Sequence, residues 1–296
     1  MVRNIIRALR LPFLSASIIP FVFGSLIVRS SFNVFAFIYG FLAVLATHLS
    51  ANLINDYADS KSGADWQDRN FYKFFGGSKL IQENILTDKF YLLAALALAL
   101  IAGICVILLS LALRNFLAVW VYAAIITLSW SYSEKPLQFS YHGWGELFIF
   151  ILFGPALVMG GYFIQTGIFP DLKSFMLALP FGFLTTAVLF ANEVPDFLDD
   201  QKAGKFTWVS ISGPSRAFLF YYLLIGLAFL SILLNVILGF LGVWALFSFV
   251  CIIPAHKAAV ILKEYPFDKA RLIESSKLAI AAQSFASLIL IAGVIL

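Results

Sequence analysis

The chemistry that this sequence offers begins with a group of polar residues at the end of an apolar segment. In the string SANLINDYADSKSGAD, Asn52, Asn55, Asp56 and Asp59 recur at spacings of three and four residues. On a helix, this spacing places the four side chains on one face. Gly63 follows and predicts the end of the helix, where the chain turns over the site.

A second group of the same kind ends another apolar segment. In FANEVPDFLDDQKAGKFT, Asn192 and Asp196 are four residues apart, and Asp199 or Asp200 continues the same face. Gly204 again follows the acids. The two groups resemble each other in residue type and order, which predicts a pair of similar sites that act together.

Carboxylates at the rim of apolar helices are costly and usually functional. Carboxylate and amide oxygens without cysteine favour a hard cation, so Mg²⁺ is a better candidate than zinc. Mg²⁺ is commonly held by one or two carboxylates together with substrate phosphates. We therefore predict a diphosphate substrate that metal ions link to both groups, with candidate ligands Asp56, Asp59, Asp196 and Asp200. The alternative is that these acids are ordinary helix-end charges that face water.

The composition indicates the elements that position these groups. Of the 296 residues, 61% are apolar and 12% are charged, against about 45–50% and roughly 25% in soluble proteins. This excludes a water-soluble globule, a disordered chain and a disulfide scaffold, and it predicts an integral protein of the lipid bilayer. The net charge of +4 does not indicate a nucleic-acid partner, and no protein partner is implied.

Nine apolar runs approach the length of about 20 residues that a membrane-spanning helix needs. We therefore predict an all-α, multi-pass bundle of nine transmembrane helices that forms one domain over residues 1–296. The runs lie at about 11–29, 33–56, 89–113, 115–133, 145–166, 174–198, 216–235, 237–256 and 277–296.

The distribution of charge predicts the orientation of the bundle. With a cytoplasmic N-terminus, 17 of the 20 Lys and Arg residues lie on the cytoplasmic side, which satisfies the positive-inside rule. Fifteen of the 16 acidic residues lie there too, Asp171 being the exception. Both acidic groups are thus predicted at the cytoplasmic face.

These strings resemble the UbiA superfamily of intramembrane prenyltransferases, in particular the branch of 1,4-dihydroxy-2-naphthoate polyprenyltransferases in menaquinone synthesis. The resemblance covers nearly the whole length and implies nine helices around a cavity, with cytoplasmic cap loops over the diphosphate. It is carried by residues 10–24, 52–65, 76–87, 132–163 and 192–207.

The resemblance also implies roles for the acids. In the first family motif, Asn-x-x-x-Asp-x-x-x-Asp, Gly63 stands at the third position, and Asp65 stands where the naphthoate branch carries its acid. Asp65 is thus implied as a further metal ligand in a cap loop, whereas we expect Asp68 to be a solvent-exposed charge. The second motif, Asp-x-x-x-Asp, matches in full. Catalytic roles are implied for Asn55, Asp59, Asp196 and Asp200.

Further polar residues are candidates for binding the substrates. Lys79, Lys135 and Lys202, together with Lys205, would neutralise a leaving diphosphate. Each of them could instead be a solvated loop charge. Glu146 could equally complement the dipole at a helix N-terminus. The candidate substrate-binding residues are Asn52, Lys79, Tyr132, Lys135, Glu146, Asn192 and Lys202.

Together these features predict an enzyme that uses Mg²⁺ to transfer a polyprenyl group from polyprenyl diphosphate to an aromatic acceptor. The resembling branch implies 1,4-dihydroxy-2-naphthoate as acceptor, with loss of carbon dioxide. The alternative acceptors are 4-hydroxybenzoate, homogentisate and an ether-lipid precursor. A polytopic transporter is the alternative from another class, but its acids should lie near the bilayer midplane, whereas these lie at one rim.

Overall fold

The described part of the chain is built from helices, as the sequence predicts. The computed structural model describes residues 2–66 and 68–296, and the side chains of Ser31 and Asp65 lie outside this description. The α-helices are α1 (Val2–Ala8), α2 (Ser15–Leu26), α3 (Val34–Ser62), α4 (Asp88–Leu113), α5 (Leu117–Ser131), α6 (Gly145–Phe153), α7 (Pro155–Thr166), α8 (Leu172–Lys202), α9 (Trp208–Ser212), α10 (Ala217–Ile237), α11 (Ile252–Glu264) and α12 (Lys269–Ile295).

The helices account for the predicted apolar segments. Within the described ranges, seven are long and apolar enough to cross a membrane, counting α6 with α7 as one span and α11 with the 3-10 helix Val243–Cys251 before it as another. The bent pair of Val2–Ala8 and Leu11–Leu26 forms an eighth. The ninth predicted segment is α5, which has 15 residues and is shorter than the usual length of about 20. The all-α membrane bundle is confirmed, and the count of nine is approximate.

Both acidic groups lie inside helices and not beyond their ends. Helix α3 continues to Ser62, past the end of the apolar run at residue 56, and Gly63 ends it as predicted, in the left-handed region at a φ of 89°. Helix α8 continues to Lys202, and Gly204 follows at a φ of 72°. The polar ends therefore keep helical geometry, because neighbouring segments of the protein cover them where the apolar pattern stops.

Helix α8 lies at the centre of the bundle. Of its most apolar window, 72% is buried inside the protein, compared with 28–44% for the other six spans. It contacts α2, α6, α7, α10 and α12. The second acidic group consequently points into protein and not into lipid.

Helices α2 and α7 approach each other closely through small residues. A Cβ atom on Gly24 would lie 2.1 Å from the carbonyl oxygen of Val158, and one on Gly161 would lie 2.5 Å from that of Phe21. Close backbone contact of this kind is a common mode of helix packing in membranes. It fixes two walls of the cavity described next.

Candidate active site

A single elongated cavity of about 360 Å³ contains most of the residues predicted to do chemistry. One end is lined by the acids Asp59, Asp196, Asp199 and Asp200 and by the cations Arg10, Lys79, Lys205 and Lys269. The other end is apolar and is lined by residues that include Ala43, Val106, Leu109, Ile125, Phe163 and Ile164. The cavity is therefore charged at one end and apolar at the other.

Helix α3 shows how long this cavity is. Its lining residues run from Gly40 at the apolar end to Asp59 at the charged end. At a rise of about 1.5 Å per residue, the 19 steps from Gly40 to Asp59 span about 28 Å, which is close to the thickness of a bilayer core of about 30 Å. The charged end thus lies at one rim of the membrane, and the apolar end reaches deep into the bundle.

Each acidic helix presents a carboxylate that the protein fixes by one oxygen. Asp59 accepts a hydrogen bond of 3.0 Å from the Tyr141 hydroxyl, and Asp196 accepts one of 2.9 Å from the backbone N–H of Gly76. Burial raises the pKa of Tyr141, so its hydroxyl stays protonated and remains a donor. The two predicted motifs thus meet at one cavity, although they come from helices far apart in sequence.

Two lysines bind the remaining acids of the second group. Lys205 Nζ lies 3.4 Å from Asp200 Oδ1. Burial alone lowers the pKa of Lys205, but the carboxylates of Asp200 and Asp59 outweigh it and raise that pKa well above the usual value. Lys269 Nζ lies 2.7 Å from Asp199 and 2.8 Å from Asp68. It therefore ties the first cap loop, residues 68–87, to α8.

The expectation that Asp68 is a solvent-exposed charge is wrong. Its side chain is 20% exposed, lines the cavity, and accepts hydrogen bonds from Lys269 and Tyr72. Partial burial raises the pKa of Asp68, but the hydrogen bonds from Lys269 and the Asn70 backbone outweigh burial and lower it to about 2. The predicted metal ligand Asp65 has a side chain outside the described part of the chain, although its backbone lies in the short 3-10 helix Ala64–Trp66.

Asp56 faces away from the cavity. Its Oδ2 accepts a hydrogen bond of 3.1 Å from the Ser78 backbone, and its Oδ1 lies 3.6 Å from Arg10. Because Ser78 belongs to the first cap loop, Asp56 anchors that loop to α3. Its spacing from Asp59 is three residues, which on a helix turns the two side chains about 60° apart.

The two predicted asparagines of α3 contact the N-terminal segment and the loop that follows α5. Asn55 accepts a hydrogen bond of 3.2 Å from Arg10 and donates one of 2.6 Å to Ser133. Asn52 donates a hydrogen bond of 3.0 Å to the Leu9 carbonyl. Both asparagines line the cavity, but their amides are already bonded to the N-terminal segment, and that of Asn55 holds Arg10 at the cavity wall. Arg10 was missed as a site residue, although it opens the first string of the family resemblance.

The structure separates the candidate lysines into two sets. Lys79 and Lys205 line the cavity, and Lys79 is only 3% exposed. Lys135 and Lys202 are exposed to solvent and lie outside the cavity lining. Lys269, which the sequence analysis did not consider, occupies the wall instead. Lys269 is the first residue of α12 and lies outside both acidic motifs, so only the tertiary structure shows that it lines the cavity.

The remaining candidates lie just below the acids. Tyr132 and Asn192 line the cavity. Glu146 is buried behind its wall, where it accepts a hydrogen bond from the Trp208 backbone. Glu193, a third site residue missed in the sequence, lines the cavity beside Asn192. The only signal for Glu193 was its place in the string Asn-Glu-Val-Pro-Asp.

The charged end suits a divalent cation together with a phosphate ligand. Asp59 and Asp200 lie in the last turns of α3 and α8, where the helix dipole disfavours negative charge. A bound cation would relieve both this effect and the repulsion between the carboxylates. Within the described residues, no three acidic, His or Cys side chains converge to hold a metal by themselves. Mg²⁺ needs only one or two carboxylates when substrate phosphates complete its coordination, so the donor set fits.

Comparison with known proteins places this geometry in a family. The 1,4-dihydroxy-2-naphthoate octaprenyltransferase of Mycobacterium tuberculosis is 32% identical over 190 residues, which cover 62% of this chain and 60% of the relative. The UbiA prenyltransferase domain-containing protein 1 of Xenopus tropicalis is 30% identical over 220 residues, which cover 73% of this chain and 61% of the relative. The chain thus spans about 60% of the length of these curated relatives.

Solved structures share the fold over nearly the whole chain. A UbiA homolog from Aeropyrum pernix K1 superimposes with a TM-score of 0.75 at 17% identity, covering 95% of this chain and 97% of that one. A UbiA homolog from Archaeoglobus fulgidus bound to DMAPP and Mg²⁺ gives a TM-score of 0.59 at 16% identity, covering 96% and 99%. The family model of UbiA prenyltransferases matches residues 17–280. With its helical membrane bundle and its two acidic helix ends at one cavity, the chain belongs to the UbiA prenyltransferase family.

Proposed function

We propose that this protein transfers a prenyl group from a prenyl diphosphate to an aromatic acceptor. The observation that carries the proposal is the polarity of the cavity, which is charged at one membrane rim and apolar over the rest of its length. A prenyl diphosphate has the same polarity, with an anionic head and a hydrocarbon tail. The distribution of basic residues supports a cytoplasmic position for the charged end.

In this proposal Asp59, Asp196 and Asp200 hold Mg²⁺ at the diphosphate. The Mg²⁺ and DMAPP bound to the Archaeoglobus homolog support this assignment. When bound, the metal supplies positive charge that stabilises the diphosphate as it leaves. Asp56 has a different role here, because its contacts with Ser78 and Arg10 suit it to holding the cap loop.

The basic side chains of the cavity wall complete the neutralisation of the leaving group. Arg10 comes from the N-terminal segment and Lys79 from the first cap loop. Lys205 lies in the loop of residues 203–207 after α8, and Lys269 begins α12. They surround the acids, so a diphosphate held between them meets positive charge on several sides. Charge placed in advance where charge develops is the largest contribution in many enzymes.

Aromatic side chains also line the cavity. Phe13, Phe74, Phe75 and Phe153 line it, and Phe75 is 2% exposed. Ring faces stabilise a nearby cation, which here is the allylic cation left when the C–O bond breaks. The same rings exclude water, so the cation survives until the acceptor attacks it.

For the acceptor we propose 1,4-dihydroxy-2-naphthoate, on the basis of the Mycobacterium relative named for this substrate. The family contains other acceptor classes, and 4-hydroxybenzoate, homogentisate and an ether-lipid precursor are the alternatives. Each has a distinct mass, so the products identify the acceptor.

We expect purified protein in lipid vesicles, given Mg²⁺ and a prenyl diphosphate, to prenylate one acceptor of this panel. With 1,4-dihydroxy-2-naphthoate, mass spectrometry should show the acceptor with its carboxyl group replaced by the prenyl group, together with free diphosphate. Vesicles without protein are the control. A prenylated product from another acceptor only would overturn the naphthoate assignment, and no product from any acceptor would overturn prenyl transfer.

A further inference from the structure

We propose that Glu193, supported by Glu146, binds a hydroxyl group of the aromatic acceptor and takes up its proton as the new carbon–carbon bond forms. This inference rests on the proposed function and assigns a subsite and a catalytic residue to it. It starts from two buried acids that prenyl diphosphate binding leaves without a role.

Glu193 is buried yet lines the cavity. It is 6% exposed, and its Oε2 has no hydrogen-bond partner among the described residues. A buried carboxyl group without a partner is costly. A ligand that enters the cavity and donates a hydrogen bond to this oxygen would remove that cost.

Glu146 and Glu193 form a pair. The two acids are close enough to influence each other electrostatically, and Glu146, which is 1% exposed, accepts a hydrogen bond from the Trp208 backbone. Two carboxyl groups in contact hold one proton between them, because two negative charges at that distance repel each other. In this proposal the pair holds one proton and one negative charge when the acceptor arrives, so it can accept a second proton.

The height of Glu193 in the cavity fits the reacting atoms. It precedes Asp196 by three residues on α8 and therefore lies about 4.5 Å further from the acidic rim. The first carbon of a prenyl diphosphate lies directly below its diphosphate group. An acceptor that binds Glu193 through a hydroxyl group is thus placed beside the carbon that it attacks.

The surroundings favour a planar, hydroxylated ligand. Tyr132 lies next to the pair on the cavity wall. Its hydroxyl packs against Gly145, the residue before Glu146: a Cβ atom placed on Gly145 would lie 3.3 Å from the hydroxyl oxygen. Asn192 also lines this region, and its Oδ1 has no hydrogen-bond partner among the residues that the structure describes. Glu193, Asn192 and Tyr132 together offer polar contacts around a ring-sized space between the acids and the apolar end.

The proposed step balances in atoms and charge. The ring carbon forms a bond to the first prenyl carbon, and the bond from that carbon to oxygen breaks, with its electron pair going to diphosphate. The hydroxyl proton passes to Glu193, so the ring oxygen becomes a carbonyl. The alkylated carbon then loses carbon dioxide or a proton, the electron pair left behind restores the aromatic ring, and the ring oxygen takes its proton back from Glu193.

The test combines one substitution with one change in the acceptor. Glu193→Gln keeps the shape of the side chain but accepts no proton, and a methyl ether of the acceptor has no proton to give. Because a positioned base contributes about 10²- to 10⁴-fold, we expect Glu193→Gln to lower kcat/KM for the hydroxylated acceptor about 100-fold. The methyl ether at the relevant oxygen should cost the wild type a similar factor. In the Glu193→Gln variant, replacing the hydroxylated acceptor by its methyl ether should lower kcat/KM by less than a further threefold, because the variant has already lost the interaction that the ether removes.

Two further measurements separate catalysis from folding. Prenyl diphosphate binding should be unchanged in Glu193→Gln, and Glu193→Asp should recover part of kcat. Glu274→Gln, on the exposed surface of α12, is the matched control and should behave as wild type. A wild-type kcat/KM in Glu193→Gln would overturn this inference. So would a combined loss of kcat/KM, for the variant with the ether, equal to the product of the two separate losses. In both cases prenyl transfer itself stands. An inactive wild type would overturn the proposed function itself.

Discussion

Replacement of Asp59 or Asp196 by asparagine is expected to lower kcat/KM for prenyl transfer by about 10³-fold. Each carboxylate lies at the charged end of the cavity, in position to share a metal ion with the diphosphate. Asparagine keeps an oxygen for the hydrogen bonds from Tyr141 and from the Gly76 backbone, so the fold is retained. It removes the negative charge that holds the cation, and losing one preorganised electrostatic group typically costs about 10²- to 10³-fold.

Asp171→Asn is the matched control. Asp171 lies at the opposite end of α8, where its side chain accepts a hydrogen bond of 2.7 Å from the Ser174 backbone. Asparagine caps helices about as well as aspartate, so this variant should keep full activity and stability. The comparison uses kinetics at saturating Mg²⁺ and thermal unfolding in detergent. Wild-type turnover in Asp59→Asn would show that the first acidic group does not hold the metal.

Removal of divalent cations is expected to abolish turnover, and added Mg²⁺ is expected to restore it. Without metal, the diphosphate would face five carboxylates at the charged end, Asp59, Asp68, Asp196, Asp199 and Asp200. Two unit negative charges about 4 Å apart, at an effective dielectric constant of about 20, repel each other by about 4 kcal/mol. The four basic side chains of the wall are partly engaged already, since Lys205 pairs with Asp200 and Lys269 with Asp199.

The metal test is made with the same vesicles in excess EDTA, then with Mg²⁺ or Mn²⁺ added back. Sodium chloride at matched ionic strength is the control, because it screens charge without coordinating phosphate. Undiminished product formation in EDTA would contradict the metal-dependent mechanism. Recovery with the divalent ions alone would support it.

The sequence predicts the acidic faces well because they depend on local geometry. Asn52, Asn55 and Asp59 are spaced along one helix, and that spacing determines which wall they share. The apolar run ends at residue 56, but the polar periodicity and Gly63 together predict the end of α3 that the structure has, at Ser62. Local spacing could not show that Asp56 turns toward Ser78, since Ser78 belongs to a loop whose path depends on the tertiary fold.

The basic residues were harder to predict for the same reason. Lys135 and Lys202 lie near the motifs in sequence but outside the cavity lining. Arg10 and Lys269 are distant in sequence yet line the cavity, because the N-terminal segment and α12 pack beside α3 and α8. Long flexible cations can reach a site from any neighbouring element, so their chemistry carries little information about their position.

The central claim is that the two acidic helix ends bind a prenyl diphosphate through shared divalent cations. It is tested most directly by crystals grown with Mn²⁺ and a non-reactive prenyl thiolodiphosphate, with anomalous scattering recorded at the manganese edge. We predict anomalous peaks within coordination distance of Asp59 and of Asp196 or Asp200, with diphosphate density between them and the prenyl chain along the apolar end. Manganese bound elsewhere, or a diphosphate head away from both helix ends, would contradict the claim.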